Sequence, residues 1–313
     1  MLLDELYKLS NKEDNTGNFS KILYGIYTGN DISKYRNELK VLGIIERNDL
    51  TLYGKNYPLF KSLRYFNEVP IFRKESQYIV FLKKNGFDPS NTLNSLNHNE
   101  KRKLGSLIIE KMIAKVPREY VPYLPKLIFG KCYYLKKYNI EVREYISKLN
   151  ALYKLKKYNE IKRCLSSQEL PSEELIKKYR KKLAKSIEDF NKKLNNGCIE
   201  KGILHYNNKP FQYQYVFIKR SILSRLRDLI LGENTKGYYP AIVNISYSNP
   251  NINYMEPFFI FVEGRQIDVF ARVPKLLYFK DNLTLNHLNL KGKHTYFGSW
   301  NRENFEKFIN GSL

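Results

Sequence analysis

Apolar residues within residues 1–63 recur at spacings of three and four and then change to a short strand-like pattern. A helix repeats every 3.6 residues and a strand every two, so this change predicts helices followed by a β-hairpin. The predicted elements are helices over residues 2–9, 19–26 and 32–42, an end of the third helix at Gly43, a strand at Ile44 and Ile45, a tight turn at Asn48 and Asp49, and a returning strand over residues 50–52. We expect this region to fold as one domain.

The middle of the chain is predicted to be helical. Pro117, Pro122 and Pro125 would interrupt a continuous helix, so residues 64–129 are interpreted as a connecting helical region. Apolar and tyrosine residues at helical spacing then predict one long amphipathic helix from Cys132 to Leu165, broken at most once, and a second helix after Pro171. Residues 130–200 are therefore expected to form a helical hairpin with many lysines on its surface.

The pattern changes again in residues 201–313, where alternation with a period of two is typical of strands. Strands are predicted over residues 211–217 and 241–247, a short helix over residues 221–231, a hairpin over residues 258–273 with its turn at 263–266, and a last helix over residues 302–309. Trp300 is expected to anchor that last helix to the sheet. With these strands the whole chain is predicted to have an α+β fold.

The chain is strongly basic. Its 54 lysine and arginine residues outnumber its 31 aspartate and glutamate residues, which gives a net charge of +23. Residues 1–129, 130–200 and 201–313 each contain more basic than acidic residues, so the charge does not come from one basic tail. A positive potential of this size attracts polyanions, of which nucleic acid is the commonest in a cytoplasm. An anionic membrane surface or an acidic protein is the alternative partner.

The lengths of the apolar runs and the positions of the cysteines argue against a membrane-spanning, a disulfide-bonded or a zinc-binding protein. No apolar run approaches the roughly 18 residues that a membrane span needs. The three cysteines are far apart in sequence, which fits neither a disulfide framework nor a paired-ligand zinc site. We therefore expect a cytoplasmic protein with no membrane partner and no bound metal, except for magnesium if the chain is a nuclease.

Two segments of the N-terminal region resemble a known superfamily. Residues 33–47, with the sequence SKYRNELKVLGIIER, and residues 50–55, with the sequence LTLYGK, are similar to the recognition helix and wing of prokaryotic and archaeal winged-helix DNA-binding domains. The resemblance covers residues 1–63 and departs from the family pattern at Arg36, where the family usually has a buried aliphatic residue. It implies a winged-helix domain that contacts double-stranded DNA.

The phase of the third helix predicts which side chains would meet that DNA. If Ile32, Tyr35, Leu39 and Leu42 face the core, the opposite edge is polar. Its predicted contacts to bases or phosphates are Ser33, Lys34, Asn37 and Lys40, with Arg47 of the wing as a further contact. A winged helix used for protein contacts, or a helical domain with a solvated polar face, remains the alternative.

Further phosphate contacts are predicted outside the N-terminal region. Lysines crowd both helices of the hairpin, where a phosphate-binding surface and a solvated face are equally compatible with the sequence. In the C-terminal region the candidate contacts are Lys219, Arg220, Arg225 and Arg227, which flank the helix predicted over residues 221–231. That surface also has the simpler interpretation of a basic helix face.

Enzymatic motifs are scarce in this sequence. It contains no Walker-type loop and no Cys-x-x-Cys or His-x-x-x-His pair. The remaining candidate is a magnesium-dependent nuclease site formed by Glu263, Asp268 and Lys275. Their spacing does not match the acid-x-Lys triplet of restriction enzymes.

The sequence therefore favours a DNA-binding protein of the transcription-regulator or replication-initiator type, whose C-terminal region is expected either to add contacts to DNA or to self-associate, for example as a homodimer. The first alternative is a DNA-processing enzyme, such as a restriction-type endonuclease, with its active site in residues 201–313. The second is a structural protein that coats a genome.

Overall fold

The described residues form both helices and strands, grouped in separate stretches of the chain, and the fold belongs to the mixed α+β class. A computed structural model describes residues 6, 8–9, 11, 14–28, 32–66, 68–196, 200–204, 213–219, 256–281, 289–290 and 295–310. The chain divides into an N-terminal unit, formed by Leu2–Asn150 and Asn159–Leu170, and a C-terminal unit, formed by Met1, Ala151–Tyr158 and Pro171–Leu313.

The elements of the described residues are numbered here in chain order. The helices are α1 Asn15–Thr28, α2 Arg36–Val41, α3 Leu59–Arg64, α4 Glu75–Lys84, α5 His98–Ile113, α6 Leu124–Ile128, α7 Val142–Lys154, α8 Tyr158–Ser167, α9 Glu173–Asn195, α10 Lys275–Asp281 and α11 Arg302–Ile309, with 3-10 turns at Ser33–Tyr35 and Arg118–Tyr123. The strands are β1 Ile44–Leu50, β2 Phe129–Leu135, β3 Ile140–Glu141, β4 Glu200–Leu204, β5 Tyr213–Ile218, β6 Phe258–Val262, β7 Ile267–Arg272, β8 Asn289–Leu290 and β9 Thr295–Trp300.

Helix α2 begins with a 3-10 turn and ends as the sequence predicts. Gly43 has a φ of +64°, a left-handed conformation that glycine adopts without steric cost, so the chain leaves the helix there and enters β1. Leu39 and Leu42 are buried beneath the helix, as is Ile32 before it. The third helix predicted over residues 32–42 is thus confirmed as a 3-10 turn followed by a short α-helix.

Strand β1 does not turn at Asn48 and Asp49, so the predicted tight turn is wrong. The strand continues to Leu50 and pairs antiparallel with β2, with Ile44 opposite Leu135 and Leu50 opposite Phe129. Burial explains the continuation, because Leu50 is almost fully buried and Asp49 is held by buried partners. The strand that pairs with β1 therefore comes from about residue 130 and not from residues 50–52.

The long helix predicted from Cys132 to Leu165 is wrong at its start, whereas the single break that the prediction allowed is present between α7 and α8. Cys132 lies inside β2, where Cys132, Tyr134 and Leu135 are buried and Lys131 is exposed. Helix α7 begins only at Val142 and ends at Lys154. The backbone then turns at Lys156, whose φ is +57°, before the next helix begins. Helix α9 confirms the second predicted helix, but the predicted boundary at residues 129 and 130 falls inside a strand.

The C-terminal unit contains a six-stranded sheet in the order β4-β5-β6-β7-β9-β8. Strands β5 and β6 are parallel and the other neighbours are antiparallel. The β6–β7 hairpin is confirmed, and every residue of β6 is buried. Helix α11 is confirmed as well, and the Trp300 ring lies 5.1 Å from the Phe308 ring of α11, as predicted.

Some predictions fall outside the described residues. These are the helix over residues 221–231, the strand over residues 241–247 and most of the helix over residues 2–9. Within the described part of the chain, no helix combines the length and the apolar character needed to cross a bilayer.

Candidate nucleic-acid interface

Helix α2 presents a polar edge on the surface of the N-terminal unit. Lys34 of the preceding 3-10 turn and Asn37 and Lys40 of α2 are exposed, and α2 buries Leu39 on its other side. The side chain of Ser33, the fourth predicted contact of this helix, lies outside the described residues. The three exposed side chains present ammonium and amide groups, which are the groups that contact phosphates and base edges in DNA complexes.

The position of Tyr35 differs from the expectation. It was expected to face the core, whereas its ring is half-buried and two ammonium groups lie over it, Lys21 Nζ at 5.0 Å and Lys34 Nζ at 5.2 Å from the ring centre. These cation-π contacts hold both ammonium groups next to the ring. Arg36, which departs from the winged-helix pattern, is exposed.

An acidic residue on the neighbouring strand is already neutralised. Glu46 in β1 pairs with Lys131 Nζ at 3.0 Å and accepts a hydrogen bond from the Tyr133 hydroxyl at 3.0 Å. The hydrogen bond from Lys131 is the main cause of the lowered pKa of Glu46. Because its charge is compensated, Glu46 opposes the approach of an anion to this face less than a free carboxylate would.

A pocket opens in the same unit between β1, the start of β2 and the first half of α5. Its volume is about 790 Å³. Four of its side chains carry or can carry positive charge. The lining residues are Arg47, Asn48, Asp49, Leu50, His98, Lys101, Arg102, Ser106, Phe129 and Gly130. We call this the basic pocket, and Arg47, predicted as the wing contact, is the one sequence-predicted site residue in it.

A buried ion cluster supports the wall of the basic pocket. The carboxylate of Asp49 accepts a hydrogen bond from the Tyr134 hydroxyl and one from Lys101 Nζ at 3.0 Å. Lys55 Nζ lies 3.8 Å from the same carboxylate and donates to the Leu50 carbonyl, and the Lys55 side chain is completely buried. Asp49 is therefore fixed among two cations and a hydroxyl.

The environment of Asp49 keeps it ionised. Burial raises the pKa of its carboxyl, but the charge of Lys55 and the contacts with Tyr134 and Lys101 outweigh burial, so the pKa lies below the ordinary value of 3.8. Burial, together with the Asp49 charge, also raises the pKa of Tyr134, which keeps its hydroxyl protonated as a donor. The carboxylate in the pocket wall is thus compensated by cations behind and beside it.

Two guanidinium groups in the pocket are available for an external anion. Arg47 lies over the Tyr134 ring, with its Cζ 5.1 Å from the ring centre, and Arg102 is exposed on α5. Neither forms an ion pair within the part of the chain that the structure describes. An arginine fork without a carboxylate partner matches the geometry of a phosphate, so the pocket can bind one.

Helix α9 carries a second basic surface, on the C-terminal unit. Its Ile176 is buried, while the opposite side is exposed and cationic. The exposed basic residues of this helix between positions 177 and 185 are Lys177, Lys178, Arg180, Lys181, Lys182 and Lys185. These residues are the part of the predicted basic hairpin that lies on α9. Lys219, directly after β5, is exposed too, while Arg220, Arg225 and Arg227 lie outside the described residues.

The three nuclease candidates lie at two ends of one strand. Glu263 follows β6 at the hairpin turn, and Asp268, opposite Val262 in β7, accepts a hydrogen bond from the Ser299 hydroxyl at 2.8 Å. Lys275 begins α10 beyond the other end of β7. A strand rises about 3.3 Å per residue, so Asp268 and Arg272 alone are about 13 Å apart along β7. The hairpin therefore brings the two acids to one end and leaves the lysine at the other.

A metal site is not formed elsewhere in the described residues. No group of three or more His, Cys, Asp and Glu side chains in this part of the chain is arranged to hold a metal ion.

Sequence reasoning missed the residues that α5 contributes to the basic pocket. His98, Lys101 and Arg102 lie in the first turns of that helix, which starts with a capping box between Asn97 and Glu100. The signal was present as an Asn-x-x-Glu start followed by three consecutive basic residues. What the sequence did not indicate is that β1 and β2 would meet opposite this helix.

Comparison with known proteins shows that the chain is similar, over nearly its whole length, to an archaeal protein. The chain is 47% identical over 310 residues to the uncharacterized protein MJ1071 of Methanocaldococcus jannaschii, and the match covers 98% of this chain and 97% of that protein. No protein-family model matches the chain.

Proposed function

We propose, for a chain that belongs to the family of the Methanocaldococcus jannaschii protein MJ1071, that it binds double-stranded DNA through the N-terminal unit. In this proposal the edge of α2 enters a groove and the basic pocket holds the backbone beside it. The role would be that of a regulator or replication initiator, in which binding and not catalysis is the activity.

One observation carries the proposal. The exposed edge of α2 and the basic pocket lie on successive elements of one folded unit, because α2 packs against β1 and β1 supplies Arg47 to the pocket. Lys34, Asn37 and Lys40 are exposed at the first feature, and Arg102 is exposed at the second. Helix-turn-helix proteins place a polar recognition helix of this kind in the major groove, and in the winged-helix family that residues 33–47 resemble, the following strand with Arg47 would be the wing.

We further propose that the module is a winged helix whose wing is interrupted in sequence. Helices α1 and α2 would be its helical part, and β1 and β2 the two strands of its wing. Residues 51–128, which include α3 to α6, would then be an insertion between those strands. The proposal keeps the resemblance of residues 33–47 and gives up that of residues 51–55, because the strand that pairs with β1 lies near residue 130.

The total charge supports the same function. A net charge of +23 raises the local concentration of a polyanion and accelerates its association. The α9 surface would add contacts to phosphates from the C-terminal unit. Binding by such surfaces releases counterions, so affinity must fall steeply with salt.

The test is a binding selection on random duplex DNA, with and without magnesium, scored for enrichment and for nicking. Enrichment of a sequence motif that Asn37→Ala or Lys34→Ala weakens by about tenfold is expected, since a good base contact discriminates by about 1–3 kcal/mol. Lys111→Ala, which removes an exposed lysine of α5 outside the pocket, should keep the motif. Binding that is insensitive to salt would contradict the proposal, and magnesium-dependent nicking would favour the endonuclease alternative.

A further inference from the structure

The size and lining of the basic pocket restrict what it can bind. A volume of about 790 Å³ lies within the range of sites that hold a small organic molecule, roughly 300–1,000 Å³. The pocket is larger than one phosphate group requires. Its lining combines three cations with the hydroxyl of Ser106 and the amide of Asn48. These groups suit an anion that is attached to a hydrogen-bonding body.

An aromatic ring in the pocket supplies a different chemistry. Phe129, the first residue of β2, lines the pocket and is half-buried. Its ring lies directly against Gly105 of α5, where a Cβ atom would overlap the ring. A glycine within a helix costs about 1 kcal/mol relative to alanine, and here it lets the ring lie close to the helix beside Arg102 and Ser106.

A phosphate held in a duplex does not use this ring. In duplex DNA the bases are stacked inside, so a protein that approaches the backbone meets phosphates and sugars only. An unpaired nucleotide differs, because its base can stack on an aromatic side chain while its phosphate is held by arginine. The pocket contains both groups, with Phe129 on one wall and Arg47, Lys101 and Arg102 around it.

We infer that the basic pocket binds one unpaired nucleotide of the bound nucleic acid, with its phosphate on Arg47 and Arg102 and its base against Phe129. This inference rests on the proposed function, because the strand that carries the nucleotide is the one that α2 and the pocket hold. Lys101, fixed by Asp49 at 3.0 Å, adds a positioned charge. The protein would therefore prefer DNA with a single-stranded end or opening to closed duplex.

The experiment compares two DNA molecules with the full chain. One is a blunt duplex and the other is the same duplex with a short single-stranded extension, and affinities are measured by fluorescence anisotropy. Wild-type protein should bind the extended duplex about tenfold more tightly, in line with the stacking of one base. Phe129→Leu should reduce this preference to about onefold while affinity for the blunt duplex changes by less than about threefold, because the charge of the protein is unchanged.

Matched variants keep the result independent of folding. Arg102→Ala changes an exposed residue and should also lower the preference for the extended duplex. Lys111→Ala removes the same charge from the same helix outside the pocket and should retain the preference. Thermal melting curves monitored by circular dichroism identify any variant that has lost its structure. If Phe129→Leu is such a variant, Arg102→Ala alone tests the inference.

The outcomes separate this inference from the proposed function. Equal binding of the blunt and extended duplexes by wild-type protein overturns the inference and leaves duplex binding standing. Binding of neither duplex overturns the proposed function and the inference together.

Competition with a free deoxynucleoside monophosphate is the third arm of the experiment. Tight binding of that nucleotide, sensitive to Phe129→Leu but without any preference for the extended duplex, would assign the pocket to a free nucleotide and contradict the inference.

Discussion

The basic pocket of the N-terminal unit and the β6–β7 hairpin of the C-terminal unit both contain a strand carboxylate, but the two are placed differently. Asp49 in β1 is buried among Lys55, Lys101 and Tyr134. Asp268 in β7 is half-exposed and accepts a hydrogen bond from Ser299 near a hairpin turn. The comparison shows that a buried carboxylate can help to build a cationic surface, because Asp49 fixes the position of Lys101 at the pocket wall.

Of the changes considered, removal of the charge of Asp49 is expected to lower the free energy of unfolding the most. Asp49→Asn leaves the buried Lys55 without its counter-ion, and breaking one partner of a buried ion pair typically costs about 3–5 kcal/mol. We expect a loss of about 3 kcal/mol in the free energy of unfolding, measured by urea denaturation. If Asp49→Asn unfolds at the same urea concentration as wild type, the cluster does not support the pocket.

The second expected effect is that the difference in unfolding free energy between wild type and Asp49→Asn depends on pH. The pKa of Asp49 is lower in the folded chain than its ordinary value of 3.8, so its contribution to stability is present above about pH 4 and is lost as the pH falls through the folded pKa. The gap in unfolding free energy between wild type and Asp49→Asn should therefore shrink below about pH 4. Urea denaturation at a series of pH values checks this, and a constant gap would contradict it.

A smaller effect is expected for the pocket cations. Arg47→Ala removes a guanidinium that forms no ion pair within the described residues, so stability should change little. The slope of log affinity against log salt should become shallower by about 0.9 for each phosphate that the variant no longer neutralises. Duplex binding measured at several salt concentrations tests this, with Lys111→Ala as the control. An unchanged slope would place Arg47 outside the interface.

The smallest effect is expected in the C-terminal hairpin. Asp268→Asn removes at most the charge of one hydrogen-bonded, half-exposed group, which corresponds to about 1 kcal/mol or less in the free energy of unfolding. Duplex affinity should be unchanged. Plasmid incubated with magnesium or manganese should be nicked by neither protein. If wild-type protein nicks the plasmid and Asp268→Asn does not, the C-terminal unit contains a nuclease site and the functional centre lies there and not in the basic pocket.

The sequence predicts the elements whose neighbours are local. The β6–β7 hairpin, helix α9 and helix α11 follow from periodicity within the segments themselves. The end of α2 follows from Gly43, because the left-handed conformation belongs to a single residue. These features need no information from distant parts of the chain.

Features that depend on distant partners were not predictable from local patterns. Asn48 and Asp49 have the composition of a turn, yet their pairing with Lys131 and Gly130 keeps them in a strand. Tyr134 and Tyr138 have helical spacing, but the burial of Tyr134 against Asp49 belongs to a strand. The basic pocket has the same origin, since its walls come from residues near 47, 101 and 129 that become neighbours only when β1 and β2 pair.

The pairing of β1 with β2 also sets an order of events during synthesis. When Leu50 has been made, its partner Phe129 is still to be translated, so β1 has an unpaired edge throughout that interval. Closing a loop of this length adds only a modest entropic cost, because that cost grows with the logarithm of loop length. Contacts between such distant residues nevertheless slow folding. A nascent chain that stalls before Leu135 would present the unpaired edge of β1 to other nascent chains, and such an edge can pair with a strand of another chain.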